Sequence, residues 1–449
     1  MKRKIYSQLI DWKENSQGKS ALLLEGARRI GKSYIVEQFA RTEYETYILI
    51  DFNKVKDDIK NLFLNYLTDL DTFFQLLSLH YNVSLVDRKS VIIFDEVQQC
   101  PPARSAIKYL VADGRYEYIE TGSLISIKKN VQNIVIPSEE QHLPMYPMDF
   151  EEFLWAIGEK RLMDYIRSCY KQRKPVGDMH RKAMELFRLY LIIGGMPQAV
   201  KTYRDTKDFR QTEIVKQNIL DLYRADIHKY ATGAETKAAA VFEAIPSQLQ
   251  LHENRFVLSD IDPKARFRNY ESAFFWLYDS RIVNIAYNTF APTIGLVMNT
   301  KRSTLRCYLA DTGLLVSLAF GERGQMPVEV YERLLHDKLE SNMGMVMENI
   351  VAQMLMAAGH KLFFYNHIDR KDASNDMEID FLITKSIITS RKNICPIEVK
   401  SSTSFTITSL EKCMSKFNQS IGHAYVLHTG DVQLTDKITY LPLYMTGLL

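Results

Sequence analysis

Cysteine is scarce and scattered along this chain. The five residues Cys100, Cys169, Cys307, Cys395 and Cys413 include no Cys-x-x-Cys pair, so the sequence encodes no disulfide framework, thiolate zinc site or dithiol redox centre. Histidine shows no His-x-x-x-His spacing, which also argues against zinc. An excess of charge of one sign is missing too: 57 Lys and Arg face 54 Asp and Glu, for a net charge of +3, so any hold on nucleic acid must come from a local patch. No apolar run reaches the roughly 18 residues needed to span a bilayer. The basic start Met1-Lys2-Arg3-Lys4 is followed by Asp11, Lys13 and Glu14 rather than by the apolar core of a signal peptide. There is no low-complexity tract and no internal repeat. The expectation is a reducing, cytoplasmic setting without a membrane.

What is present is an ordinary globular composition, with 46% hydrophobic and 25% charged residues, over 449 residues. That length suggests roughly two to four folding units. Residues 1–150 alternate apolar β-type runs (Ala21 to Glu25, Thr46 to Phe52, Val91 to Asp95, Tyr116 to Thr121) with helical stretches, the rhythm of a buried parallel sheet covered by helices. Residues 151–238 read as a helical subdomain. In 239–330, the helix Tyr270 to Tyr278 leads into β-type runs at Ile282 to Tyr287 and Leu305 to Leu309, the pattern of a winged-helix-like module. After a polar stretch from Gly321 to Pro327, residues 331–449 carry the helix Met343 to Ala358 and further β-type runs.

Gly26-Ala27-Arg28-Arg29-Ile30-Gly31-Lys32-Ser33 fits G-x-x-x-x-G-K-[ST] between the strand Ala21 to Leu24 and the helical run from Tyr34. Its glycines allow a tight loop whose amides, with the helix N-terminus, surround phosphate oxygens. Lys32 would neutralise the β and γ phosphates and Ser33 would ligate Mg2+. The run Val91-Ile92-Ile93-Phe94-Asp95-Glu96 supplies the carboxylate such a loop needs: Asp95 for the metal and Glu96 to polarise the attacking water, which points to hydrolysis of ATP. Asp51, at the end of another β-type run, lacks a second acid after it and reads as a strand end facing solvent. Thr121-Gly122-Ser123 puts hydroxyls at a strand's C-terminal end, where Thr121 or Ser123 could sense the γ-phosphate. Arg28 and Arg29 could touch phosphate or simply face water. No arginine acting from another subunit is identifiable.

Farther on, Glu398 and Lys400 lie two apart on the apolar strand Pro396 to Val399, hence on one face. Asp380 sits in the β-type run Glu378 to Ile383, and Glu348 lies on the preceding helix. Helix Glu, strand Asp, then strand Glu-x-Lys is the order of the PD-(D/E)xK nuclease fold, which this region resembles. Glu348, Asp380 and Glu398 would then hold Mg2+, with Lys400 orienting water. A surface hairpin with incidental charges, or a nuclease-like fold kept for binding alone, remains open. Lys264, Arg266, Arg268, Lys301 and Arg302 form either a phosphate-contacting face or a solvated one. Phe274, Trp276 and Tyr278 read as core.

Taken in order, these pieces resemble a prokaryotic group of AAA-type ATPases with a C-terminal domain of unknown function. The likeness also rests on Pro147-Met148-Asp149-Phe150-Glu151-Glu152-Phe153, Gly194-Gly195-Met196-Pro197 and Leu309-Ala310-Asp311-Thr312-Gly313-Leu314-Leu315. It implies an α/β architecture: a P-loop ATPase core, a helical lid, a winged-helix-like module and a nuclease-like C-terminal domain. The expected cofactors, read from the loop and its carboxylates, are ATP and Mg2+; DNA or RNA, a protein partner and an oligomer are left open. Where many relatives carry a Gly-Arg pair after the sensing strand, this chain has Ser126-Ile127-Lys128-Lys129-Asn130-Val131.

Overall fold

Every residue of β1 (Ala21–Glu25) is buried, as the apolar run demands of a strand covered on both faces. In this computed structural model it sits inside a five-stranded sheet with β2 (Thr46–Asp51), β3 (Ser90–Asp95), β4 (Glu117–Gly122) and β5 (Glu140–Pro144), in the order β2-β3-β4-β1-β5. All neighbouring pairs are parallel. The structure describes residues 1–122, 139–251, 255–293, 295–321, 326–336, 342–368, 372, 375–385, 392–402 and 404–449. The core on one side of the sheet is aromatic: Phe63 packs edge to face on Phe52 and Phe94, pairs each worth about 0.5–1.5 kcal/mol beyond the area they bury. Strand β5 was not expected from sequence, because Glu-Gln-His-Leu-Pro has almost no apolar content and lies on the sheet's edge.

The chain divides into two compact units, Met1–Tyr146 and Pro147–Leu449. The second holds an eight-stranded mixed sheet. Its strands are β6 (Val283–Thr289), β7 (Thr300–Leu309), β8 (Phe363–His367), β9 (Met377–Thr384), β10 (Ile394–Val399), β11 (Ala424–His428), β12 (Gln433–Leu434) and β13 (Ile438–Pro442), ordered β12-β13-β11-β10-β9-β8-β6-β7. Here the structure departs from the expected layout. The hairpin β6–β7 is not a wing on a separate module over 239–330; β6 pairs in parallel with β8 at Tyr287 and Asn288, so the hairpin extends the same sheet that carries β9 and β10. Burial explains the difference: six of the seven residues of β6 are buried, so neither face is free for solvent.

Three motifs of the resemblance meet in this unit. Asp311 caps the helix Thr312–Phe320 by accepting from the Leu314 amide at 2.9 Å, and its other oxygen accepts from the Gly195 amide at 2.5 Å. A Cβ on Gly313 would lie 2.5 Å from the Gly194 nitrogen, and one on Gly195 would lie 2.1 Å from the Met148 carbonyl oxygen. The glycines allow these backbones to touch. Next to this contact, the buried Asn349, on the helix Asn342–Ala357, accepts from the Leu309 amide at 2.8 Å and donates to its carbonyl at 3.1 Å. That fixes the end of β7 against the helix. Among the described residues no helix is long and apolar enough to cross a membrane.

Candidate functional site

The loop Gly26 to Ser33 leaves the C-terminal edge of the parallel sheet, where ligands of such sheets bind. Its turn requires positive φ at Arg29 (68°) and at Gly31 (92°), the residue that caps the helix Lys32–Glu43. Glycine takes this conformation without strain; Arg29 does so at a cost of about 1–2 kcal/mol. A Cβ on Gly26 would lie 2.5 Å from the Met145 carbonyl oxygen, so the chain after β5 leaves no room there for a side chain. The buried Lys32 curls back, donating to the carbonyls of Gly26 at 2.9 Å and Ala27 at 3.0 Å. Arg3, which sequence reasoning treated only as part of a basic start, donates to the Ile30 carbonyl at 2.9 Å and the Tyr146 carbonyl at 2.6 Å, tethering the loop from outside. Only the tertiary fold brings it there.

Ser33, Asp95, Thr121 and Glu96 are brought together. Ser33 Oγ donates to Asp95 Oδ1 at 2.7 Å, and Thr121 Oγ1 donates to the same oxygen. The Glu96 amide donates to Thr121 Oγ1 at 3.3 Å. Glu96 adopts a left-handed conformation (φ 56°, ψ 48°), which turns its side chain away from the line of β3, and Gln98 Nε2 holds its Oε2 at 2.5 Å. Gln98 carried no sequence signal. A hydroxyl and a carboxylate side by side form a hard oxygen donor set that fits Mg2+. Asp51 ends the neighbouring β2 and is spent locally, on Lys54 at 2.6 Å and the Asn53 amide at 3.0 Å. Arg28 is partly buried and Arg29 exposed. Ser123 lies outside the described residues.

Two ionic groups brace this end of the sheet, one buried and one with an exposed histidine. Arg104 Nη1 lies 2.9 Å from both carboxylate oxygens of Glu120 and 2.5 Å from Glu140, with all three side chains almost fully buried. Glu120 precedes Thr121, so the pair anchors β4 beside the hydroxyl. Glu25, the residue before the loop, bonds His142 Nδ1 at 2.5 Å, and that bond raises the imidazole above its usual value of 6.5 against the opposing effect of burial. A raised histidine stabilises the fold fully below about 6.5, and the gain is lost as pH rises through the folded-state value. Urea midpoints should therefore fall from pH 6 to pH 8.5 in the wild type, and less in His142→Gln.

In the second unit Glu348, Asp380, Glu398 and Lys400 line one cavity of about 320 Å³. The antiparallel register that pairs Ile397 with Phe381 brings Asp380 beside Glu398, and Asp380 Oδ2 accepts from the Val399 amide at 2.8 Å. Lys400 Nζ bonds Glu398 Oε2 at 2.8 Å. Burial pushes the Glu398 carboxyl up to about 8, with Asp380 adding to the rise, and the Glu348 carboxyl up to about 7. The expected Mg2+ does not fit this arrangement. Arg306, from β7, stands inside the cluster: Nη2 bonds Glu378, and Nη1 lies 3.7 Å from Asp380 and 3.9 Å from Glu348. Among the described residues no group of three or more His, Cys, Asp or Glu is gathered to hold a metal ion. Neither Arg306 nor Glu378 was singled out from sequence, since the hairpin was assigned to another module. Lys264, Arg266, Arg268, Lys301 and Arg302 are all exposed, whereas Phe274 and Trp276 are buried.

Comparison with known families matches three stretches of the chain. Residues 18–154 match the model of an AAA domain, so the first unit is an AAA-type P-loop domain. Residues 184–324 match a domain of unknown function, DUF8612, and residues 343–445 match another, DUF4143. A search of curated proteins finds no significant match. Among solved structures, similarity is found to a Walker-type ATPase of Pyrococcus abyssi, 15% identical, covering 71% of this chain and 95% of that one with a TM-score of 0.40. The Orc1 protein of Aeropyrum pernix in complex with DNA is 11% identical, covering 75% of this chain and 93% of that one, TM-score 0.27. Cdc6p of Pyrobaculum aerophilum is 12% identical, covering 76% and 96%, TM-score 0.25. At scores this low the functional reading rests on the residues themselves.

Proposed function

We propose that the first unit binds and hydrolyses Mg-ATP. The observation that carries this reading is the hydrogen-bonded run from Ser33 through Asp95 and Thr121 to the Glu96 amide, set beside the glycine-bounded loop. Lys32 leaves the loop carbonyls for the β and γ phosphates, while the loop amides and helix N-terminus take the remaining phosphate oxygens. Ser33 and Asp95 hold the metal. Mg2+ held there would supply positive charge against the phosphate oxygens. Glu96, held by Gln98, takes the proton of the attacking water, and Thr121, bonded to Asp95, would sense the γ-phosphate. Lys32→Ala removes the ammonium: equilibrium dialysis should show Mg-ATP retained by the wild type and lost by the variant. Equal retention in both would overturn the assignment.

Hydrolysis would serve a transaction of the remaining chain with a nucleic acid or a protein. Residues 331–449 suit a metal-dependent nuclease in the order of Glu348, Asp380, Glu398 and Lys400, yet Arg306 among those carboxylates favours a second reading, in which this region binds its partner without cutting it.

A further inference from the structure

We propose that Arg306 occupies the place a divalent cation would take among Glu348, Glu378 and Asp380, making the C-terminal cavity a latent metal site held closed by the chain's own guanidinium. An arginine does not lose its proton in a protein, so the positive charge cannot be shed to admit an ion. A divalent cation sharing these carboxylates would lie a few ångströms from that buried charge, and like charges at that range repel.

Arg306 is buried, with Cζ 4.7 Å over the Phe364 ring, and its strand is fastened at Leu309 by Asn349. Yet its hydrogen bonding is incomplete. Arg306 Nε and Nη1 have no hydrogen-bond partner although both are buried, and Glu398 Oε1, facing the same cavity, is buried without one. Unmatched buried polar atoms are costly, so the guanidinium is held here by the charge of the carboxylates around it more than by hydrogen bonds. The guanidinium here supplies charge where coordination is called for, and it leaves a carboxylate oxygen unused. Removing it while keeping the apolar bulk should open the cluster to a hard cation that prefers oxygen ligands. The inference does not depend on ATP hydrolysis, which involves other residues.

The test is Mn2+ uptake by the full-length, nucleotide-free protein, followed by the paramagnetic resonance signal of free Mn2+. Wild type and Asp380→Asn should take up Mn2+ equally. Arg306→Met and Arg306→Gln should each gain one Mn2+ per chain, and adding Asp380→Asn to either should abolish the gain. Uptake by the wild type that Asp380→Asn removes overturns the proposal, as does a folded Arg306 variant with no gain. If circular dichroism shows both variants unfolded, the wild-type pair decides alone: Asp380-dependent uptake overturns the proposal, and its absence supports it.

Discussion

Glutamine in place of Glu96 should leave nucleotide binding intact and slow ATP hydrolysis by roughly 10²–10⁴-fold, the usual worth of a positioned general base. The two side chains have the same length and shape, and an oxygen remains to accept from Gln98, so the left-handed turn after β3 has no reason to change. What disappears is the capacity to take a proton from water. Single-turnover hydrolysis and the dissociation constant of a fluorescent ATP analogue separate the two effects. A rate close to that of wild type would remove Glu96 from the chemistry, and weaker binding would mean that it helps to hold nucleotide.

Arg104→Ala should destabilise the first unit by about 3–5 kcal/mol, because removing one partner of a buried ionic group leaves the others charged and desolvated. Glu120 and Glu140 would then face each other with no cation between them. Burial already raises both carboxyls, and Arg104 is what opposes the rise. Replacing the whole group, with Arg104→Met, Glu120→Gln and Glu140→Gln together, should cost far less, since no isolated charge remains. Chemical denaturation of the wild type, Arg104→Ala and the triple variant measures the difference. A loss for Arg104→Ala as small as that of the triple variant would show that the group contributes packing and little else.

Much of the first unit was legible in sequence because its signals are local. A strand such as Val91 to Asp95 declares itself by an unbroken apolar run, and the loop from Gly26 to Ser33 by its spacing. Strand β5 was not legible: an edge strand needs little apolar content, and here its charged residues serve Arg104 and Glu25. Arg3 and Gln98 were equally hidden, since each acts through a contact that only the folded chain creates. In the second unit the order Glu348, Asp380, Glu398, Lys400 could be read, and the four do line one cavity. Arg306 could not be read into it. Its place depends on β6 pairing with β8 across some 75 positions, a choice made by tertiary packing and not by periodicity.

That shared sheet has a practical side for anyone trimming the gene. A fragment begun at residue 331 would discard β6 and β7 and bare the flank of β8 that meets Tyr287 and Asn288, exchanging an interior strand for an open border prone to recruit other chains. It would also throw away the only guanidinium that β7 delivers to the acids, so the excised piece would differ from the parent in charge as well as in shape. The smallest faithful excerpt of the cavity therefore has to start upstream of Gln248, which also lines it.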